Sequence, residues 1–175
     1  ALEGSRIVNC LAASNTVNGI VGGNGSVIIE NCIARGNANG SIGAGPDSVI
    51  RNCVADYNNG GVFVGPAGLI EHCTTVSNVG DGFVVAAQGR IINSVSYSNT
   101  ANGIFLGDGC TAEGCTASFN LQTGIILGKD STASGCTTRS NGNAGYYLNT
   151  GSRAVNSLAD GNSFYGFNCT SSNAT

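Results

Sequence analysis

Three groups of residues in this 175-residue chain are of types that do chemistry. Glu30, Arg51 and Glu71 follow one another at intervals of 21 and 20 residues, with Glu113 further along. Two carboxylates about 5–10 Å apart are what glycoside hydrolysis needs, and here they would flank a basic group. Asp108 and Asp130, 22 residues apart with Lys129 between them, are oxygen donors of the kind that hold calcium, which takes about six to eight such oxygens. His72, the single histidine, precedes Cys73, a base beside a thiol nucleophile. Each group also has a plainer reading. The Glu30–Arg51–Glu71 column makes a cross-strand ladder of alternating charge, each pair worth little on a solvated face. Asp beside Gly is a turn former. Neighbouring strand residues point to opposite faces, so His72 and Cys73 would not meet.

What would position these residues is a repeat. Asn15, Asn37, Asn58, Asn78, Asn99, Asn120, Asn141 and Asn162 recur at intervals of 22, 21, 20, 21, 21, 21 and 21. Gly19, Gly40, Gly61, Gly82, Gly103, Gly124, Gly145 and Gly166 recur at 21 throughout. A fixed period of this length marks stacked supersecondary units. Within one unit, Arg90 to Gly107, three short apolar runs alternate with period 2 and are separated by bends. None is long enough for a helix. The spacing predicts an all-β parallel β-helix of about eight coils over residues 5–169, three strands per coil, roughly 38 Å long at the strand spacing. One domain spans residues 1–175, with a polar tail at 170–175.

The columns assign roles. Ile7, Ile29, Ile50, Ile70 and Ile91 face inward, thinning to Ala112, Ala133 and Ala154. The next bend carries Asn9, Asn31, Asn52, His72, Asn93, Gly114, Gly135 and Asn156. Asn and Gly tolerate the left-handed backbone region, so this column reads as a sharp corner and His72 as a corner residue. Cys10, Cys32, Cys53, Cys73, Cys115 and Cys136 each lie five residues before a ladder asparagine, with Ser94 and Ser157 completing the set. A place that takes Cys or Ser once per coil is a small buried niche for reduced thiols. The asparagines would hydrogen-bond to their neighbours above and below, because an unsatisfied buried amide costs about 1–3 kcal/mol.

Composition narrows the function classes. Net charge is −3, with 7 basic and 10 acidic residues, so a nucleic-acid partner is not expected. No run of about 18 apolar residues exists to span a bilayer as a helix, and no membrane partner is expected.

The units "IENCIARGN", "IRNCVADYN" and "NGIFLG" resemble the repeats of right-handed parallel β-helices of the pectate lyase-like superfamily. The resemblance covers about residues 5–169 and implies the fold, an extracellular or cell-surface setting, and polysaccharide as a possible partner. In the enzymes of that superfamily, chemistry sits on the outer face of the strand after the glycine column, where carboxylates bind calcium or act as acid and base. The corresponding column here is Val21, Ile42, Phe63, Val84, Phe105, Ile126, Tyr147 and Asn168. It has no carboxylate, basic residue or histidine, so no catalytic residue is expected on it.

Seven apolar residues on a face that should be wet is the least expected feature of the chain. Leu11, Ile33, Val54, Thr74, Val95, Thr116, Thr137 and Leu158 make a second such column. Monomers rarely leave contiguous apolar patches beyond a few hundred Å² uncovered. The leading expectation is a non-catalytic assembly module whose face packs on an identical chain or a neighbouring domain. Carbohydrate binding through Phe63, Phe105 and Tyr147 is the alternative, and a lyase or hydrolase using Glu30, Arg51 and Glu71 a further one.

Overall fold

A computed structural model describes residues 4–169. The alternating runs become twenty-four short strands, from β1 (Ser5–Val8) to β24 (Phe167–Cys169), and no helix occurs among the described residues. Every strand pairs in parallel with its counterpart in each adjoining coil. Three eight-stranded sheets result, built from the first, second and third strand of each coil. The fifth coil is typical: β13 (Arg90–Ile92), β14 (Val95–Tyr97) and β15 (Ile104–Leu106). Pairing one coil with the next satisfies backbone groups that a three-residue strand alone would leave unpaired.

Period-2 alternation then sorts side chains inside and out. Ile29, Ile50, Ile70 and Ile91 are fully buried in the first sheet, as are Val62, Phe83, Ile104 and Ile125 in the third. Ala34, Ala55 and Ala117 line the second sheet's inner wall. Small residues there let large ones from the other two sheets fill the interior. Where the first-sheet column thins to Ala133, Tyr146 fills the space; its hydroxyl donates to the Cys136 carbonyl at 2.7 Å and its ring stacks on Phe167 at 4.8 Å.

Corners follow from backbone conformation. The Asn/His/Gly column turns with φ between 46° and 62° in all eight coils, His72 at 51°. A second left-handed corner lies just before each ladder asparagine, at Ser14, Gly36, Tyr57, Ser77, Ser98, Phe119, Ser140 and Gly161. Only two of those eight are glycine and none is asparagine, so composition gives no sign of it.

The asparagine column is a directional ladder. From Asn15 to Asn141, backbone N–H and side-chain Nδ2 of each asparagine donate to Oδ1 of the asparagine one coil on, as in Asn78 to Asn99 at 3.0 and 3.1 Å. From Asn37 on, Nδ2 also reaches back to a carbonyl of the preceding coil, Ala55 in the case of Asn78, except at Asn99, where it donates to the Ser96 and Thr75 hydroxyls instead. Asn37, Asn58, Asn78, Asn99, Asn120 and Asn141 are buried.

The third sheet corrects one column. Ile20 pairs with Ile42 and Ile42 with Val62, so Ile42 points inward and is 1% exposed. Gly43, paired with Val21 and Phe63, takes the outward place. Ser41 likewise replaces Gly40 beside the ladder, its hydroxyl donating to the Gly61 carbonyl at 2.6 Å. The cause is a cancelling insertion and deletion. The turn Gly22 to Ser26 is one residue longer than its counterparts, and the turn after Asn58 is one shorter. The glycine spacing of 21 therefore runs straight through a register that shifts by 22 and then 20.

Candidate functional site

The acidic and basic residues are brought together as ladders. Glu30 pairs with Arg51 and Arg51 with Glu71 in adjacent strands of the first sheet. Arg51 lies 3.1 Å from Glu30 and 4.0 Å from Glu71, and Arg6 reaches Glu30 at 3.0 Å. The hydrogen bond from Arg51, joined by that from Arg6, holds the Glu30 carboxyl below the usual carboxylate range. That is opposite to the raised pKa of a general acid. Glu113 stands apart in the same column, paired with Arg90 at 3.1 Å. The second sheet repeats the device with Arg35–Asp56 at 2.7 Å and Arg139–Asp160 at 3.0 Å.

Asp108 and Asp130 occupy the same turn of successive coils but not the same position. Asp108 lies opposite Lys129, whose N–H donates to its Oδ1 at 2.8 Å. Asp130 lies opposite Gly109 and turns with φ 56°. Asp108 thus serves the turn through its carboxylate and Asp130 through its backbone, and no cluster of three or more potential metal ligands occurs among the described residues.

His72 is exposed at its corner, within 3.4 Å of the Asn93 amide, while Cys73 is buried. The Cys73 thiol donates to the Glu71 carbonyl and accepts from the Cys53 N–H. Cys10–Cys32 and Cys115–Cys136 repeat the N–H to sulfur contact at 3.4 Å. All cysteines are free. Within the stacked pairs the shared hydrogen bond pushes Cys73 and Cys115 up and Cys53 and Cys136 down, and burial raises Cys32 and Cys110. A nucleophile needs an accessible thiolate, and all six of these thiols are buried.

What remains is the outer face of the third sheet: Val21, Gly43, Phe63, Val84, Phe105, Ile126, Tyr147 and Asn168, in register on eight coils. None carries a charge. Val21, Phe63 and Phe105 are 54%, 45% and 39% exposed. The flanking turns are short, but Val17, Val79, Leu121, Phe164 and Tyr165 are exposed on one side and Asp47, Asp108, Lys129 and Asp130 on the other. The second sheet also exposes Leu11, Ile33, Val95 and Leu158, but its neighbouring outward column holds the Arg–Asp pairs.

Gly43 interrupts the apolar column. A Cβ there would meet nothing within 4 Å, and its backbone is not left-handed. Neither packing nor conformation demands glycine. Two hollows of about 170 and 180 Å³ open on either side of it, both walled by Val21 and Phe63, with Asn18 and Asn24 at the far ends. Periodicity alone misses this notch, because it assigns the position to Ile42. The ladder intervals of 22, 21 and 20, set against a glycine interval fixed at 21, are the signal that would have found it.

The chain matches no family model and no curated protein significantly.

Proposed function

We propose that the coil is a non-catalytic assembly module that buries the outer face of its third sheet against another copy of itself. One observation carries this reading: eight in-register outward positions without a charge, on a molecule whose other sheets pair Arg with Asp or Glu. An uncovered apolar strip of this length is unusual for a monomer. The likeness to the pectate lyase-like superfamily belongs to the same proposal, as scaffold rather than as enzyme. The test is oligomeric mass. Wild type is expected to sediment as an oligomer. Phe105→Glu with Val84→Lys is expected to be a monomer with unchanged circular dichroism, since both side chains point away from the core. A monomeric wild type would sink the reading.

A second reading, sugar binding, rests on ring placement. Phe63, Phe105 and Tyr147 lie on alternate coils, about 10 Å apart at the strand spacing. It calls for a monomeric wild type whose retention in polysaccharide-containing gels is lost on Phe63→Ala, Phe105→Ala or Tyr147→Ala.

A further inference from the structure

The third-sheet face is complementary to itself in one orientation, and we infer that two copies pack face to face about a two-fold axis that runs parallel to the strands between the fourth and fifth coils. This rests on the assembly reading and goes on to name the partner's register.

Packed sheets lie about 10 Å apart, so two facing side chains share that gap and a large one needs a small one opposite. An axis along the solenoid would set each coil on its own copy. Phe63 would meet Phe63, Phe105 would meet Phe105, and Gly43 would face Gly43 across a void. An axis along the strands reverses the coil order instead. With the axis between coils four and five, Tyr147 stands over Gly43, Phe63 over Ile126 and Phe105 over Val84, and all eight coils are covered. Shifting the axis by one coil would put Phe105 over Gly43, leaving Tyr147 and the last two coils uncovered.

The notch has room for the ring. A Cβ at Gly43 would meet nothing within 4 Å, and an open hollow lies on each side of it. The absent side chain, unexplained by anything within the coil, is accounted for by a tyrosine from the second copy. Eight coils of roughly 4.8 Å by three-residue strands of about 3.3 Å per residue give about 400 Å² per copy. Exposed side chains of the flanking turns, Val17, Val79 and Leu121 among them, must therefore join the contact to approach the total of about 1,200 Å² of specific interfaces.

The test is a volume swap read by sedimentation equilibrium. Gly43→Tyr sets tyrosine against Tyr147 twice per dimer and is expected to raise the dissociation constant by about tenfold or more. The added side chain enters open space, so the circular dichroism spectrum is expected to stay unchanged. Gly43→Tyr combined with Tyr147→Gly restores large against small and is expected to recover dimerisation. A dimeric wild type whose swap fails to recover, or which is rescued instead by Gly43→Phe with Phe105→Gly, overturns this register and leaves the assembly reading standing. A monomeric wild type overturns both.

Discussion

A left-handed backbone costs an ordinary residue about 1–2 kcal/mol and glycine or asparagine much less, which gives the corner residues separable roles. His72 turns with φ 51° where five other coils carry asparagine. His72→Asn is expected to leave the melting temperature unchanged; a marked fall would mean that the imidazole does more than turn the chain. Gly135 has the same conformation, and a Cβ there meets nothing within 4 Å. Gly135→Ala therefore isolates backbone strain and is expected to cost about 1–2 kcal/mol, with Gly135→Asn cheaper, by denaturant unfolding. The thiols divide just as sharply. Cys10 and Cys169 are exposed; Cys32, Cys53, Cys73, Cys110, Cys115 and Cys136 are buried. Brief alkylation of the native protein followed by mass spectrometry is expected to modify the exposed two, and the rest only after denaturation. Fast labelling of Cys73 would revive it as a nucleophile.

At the level of elements, the ladder's direction decides what each asparagine is worth. Every Oδ1 from Asn37 to Asn162 accepts from the preceding coil, whereas no ladder asparagine donates to Asn15. Asn99→Ala removes the acceptor for two donors of buried Asn78, at about 1–3 kcal/mol for each group left unsatisfied. Asn162→Ala does the same to Asn141. Asn15→Ala orphans no ladder donor. Unfolding free energies are expected to fall most for Asn99→Ala, less for Asn162→Ala and least for Asn15→Ala; equal losses would deny the ladder its direction. This column and the Asn/His/Gly corner were legible in sequence because each needs a particular chemistry, an amide or a residue that tolerates positive φ. The second corner was not, since Tyr57 and Phe119 turn left-handed at φ 56° and 57° although their type argues against it. Nor was the place of Ile42, because residues gained and lost in two turns cancel between Gly19 and Gly61. Alternation alone cannot detect a one-residue slip, yet such a slip exchanges inside for outside.

Across the whole molecule, charge and apolar surface are segregated. Arg6–Glu30, Arg35–Asp56, Arg90–Glu113 and Arg139–Asp160 each join neighbouring coils on the first two sheets, so those faces carry charge whose field largely cancels at short range. The third sheet carries none outward. Two copies meeting there bring no ion pairs into contact, and a net charge of −3 on each makes them repel weakly at a distance. Salt then acts in one direction. The screening length falls from about 30 Å at 0.01 M to about 3 Å at 1 M, which removes the repulsion and takes nothing from burial of Phe63, Phe105 and Tyr147. Sulfate strengthens such burial further. The self-association constant is therefore expected to hold or rise between about 0.05 and 1 M sodium chloride, and to rise more in sulfate, by sedimentation equilibrium. An interface built from the Arg and Asp or Glu columns would behave oppositely, since screening weakens attraction between charged faces. Dissociation on adding salt would place the contact on the first two sheets and leave the apolar face without its partner.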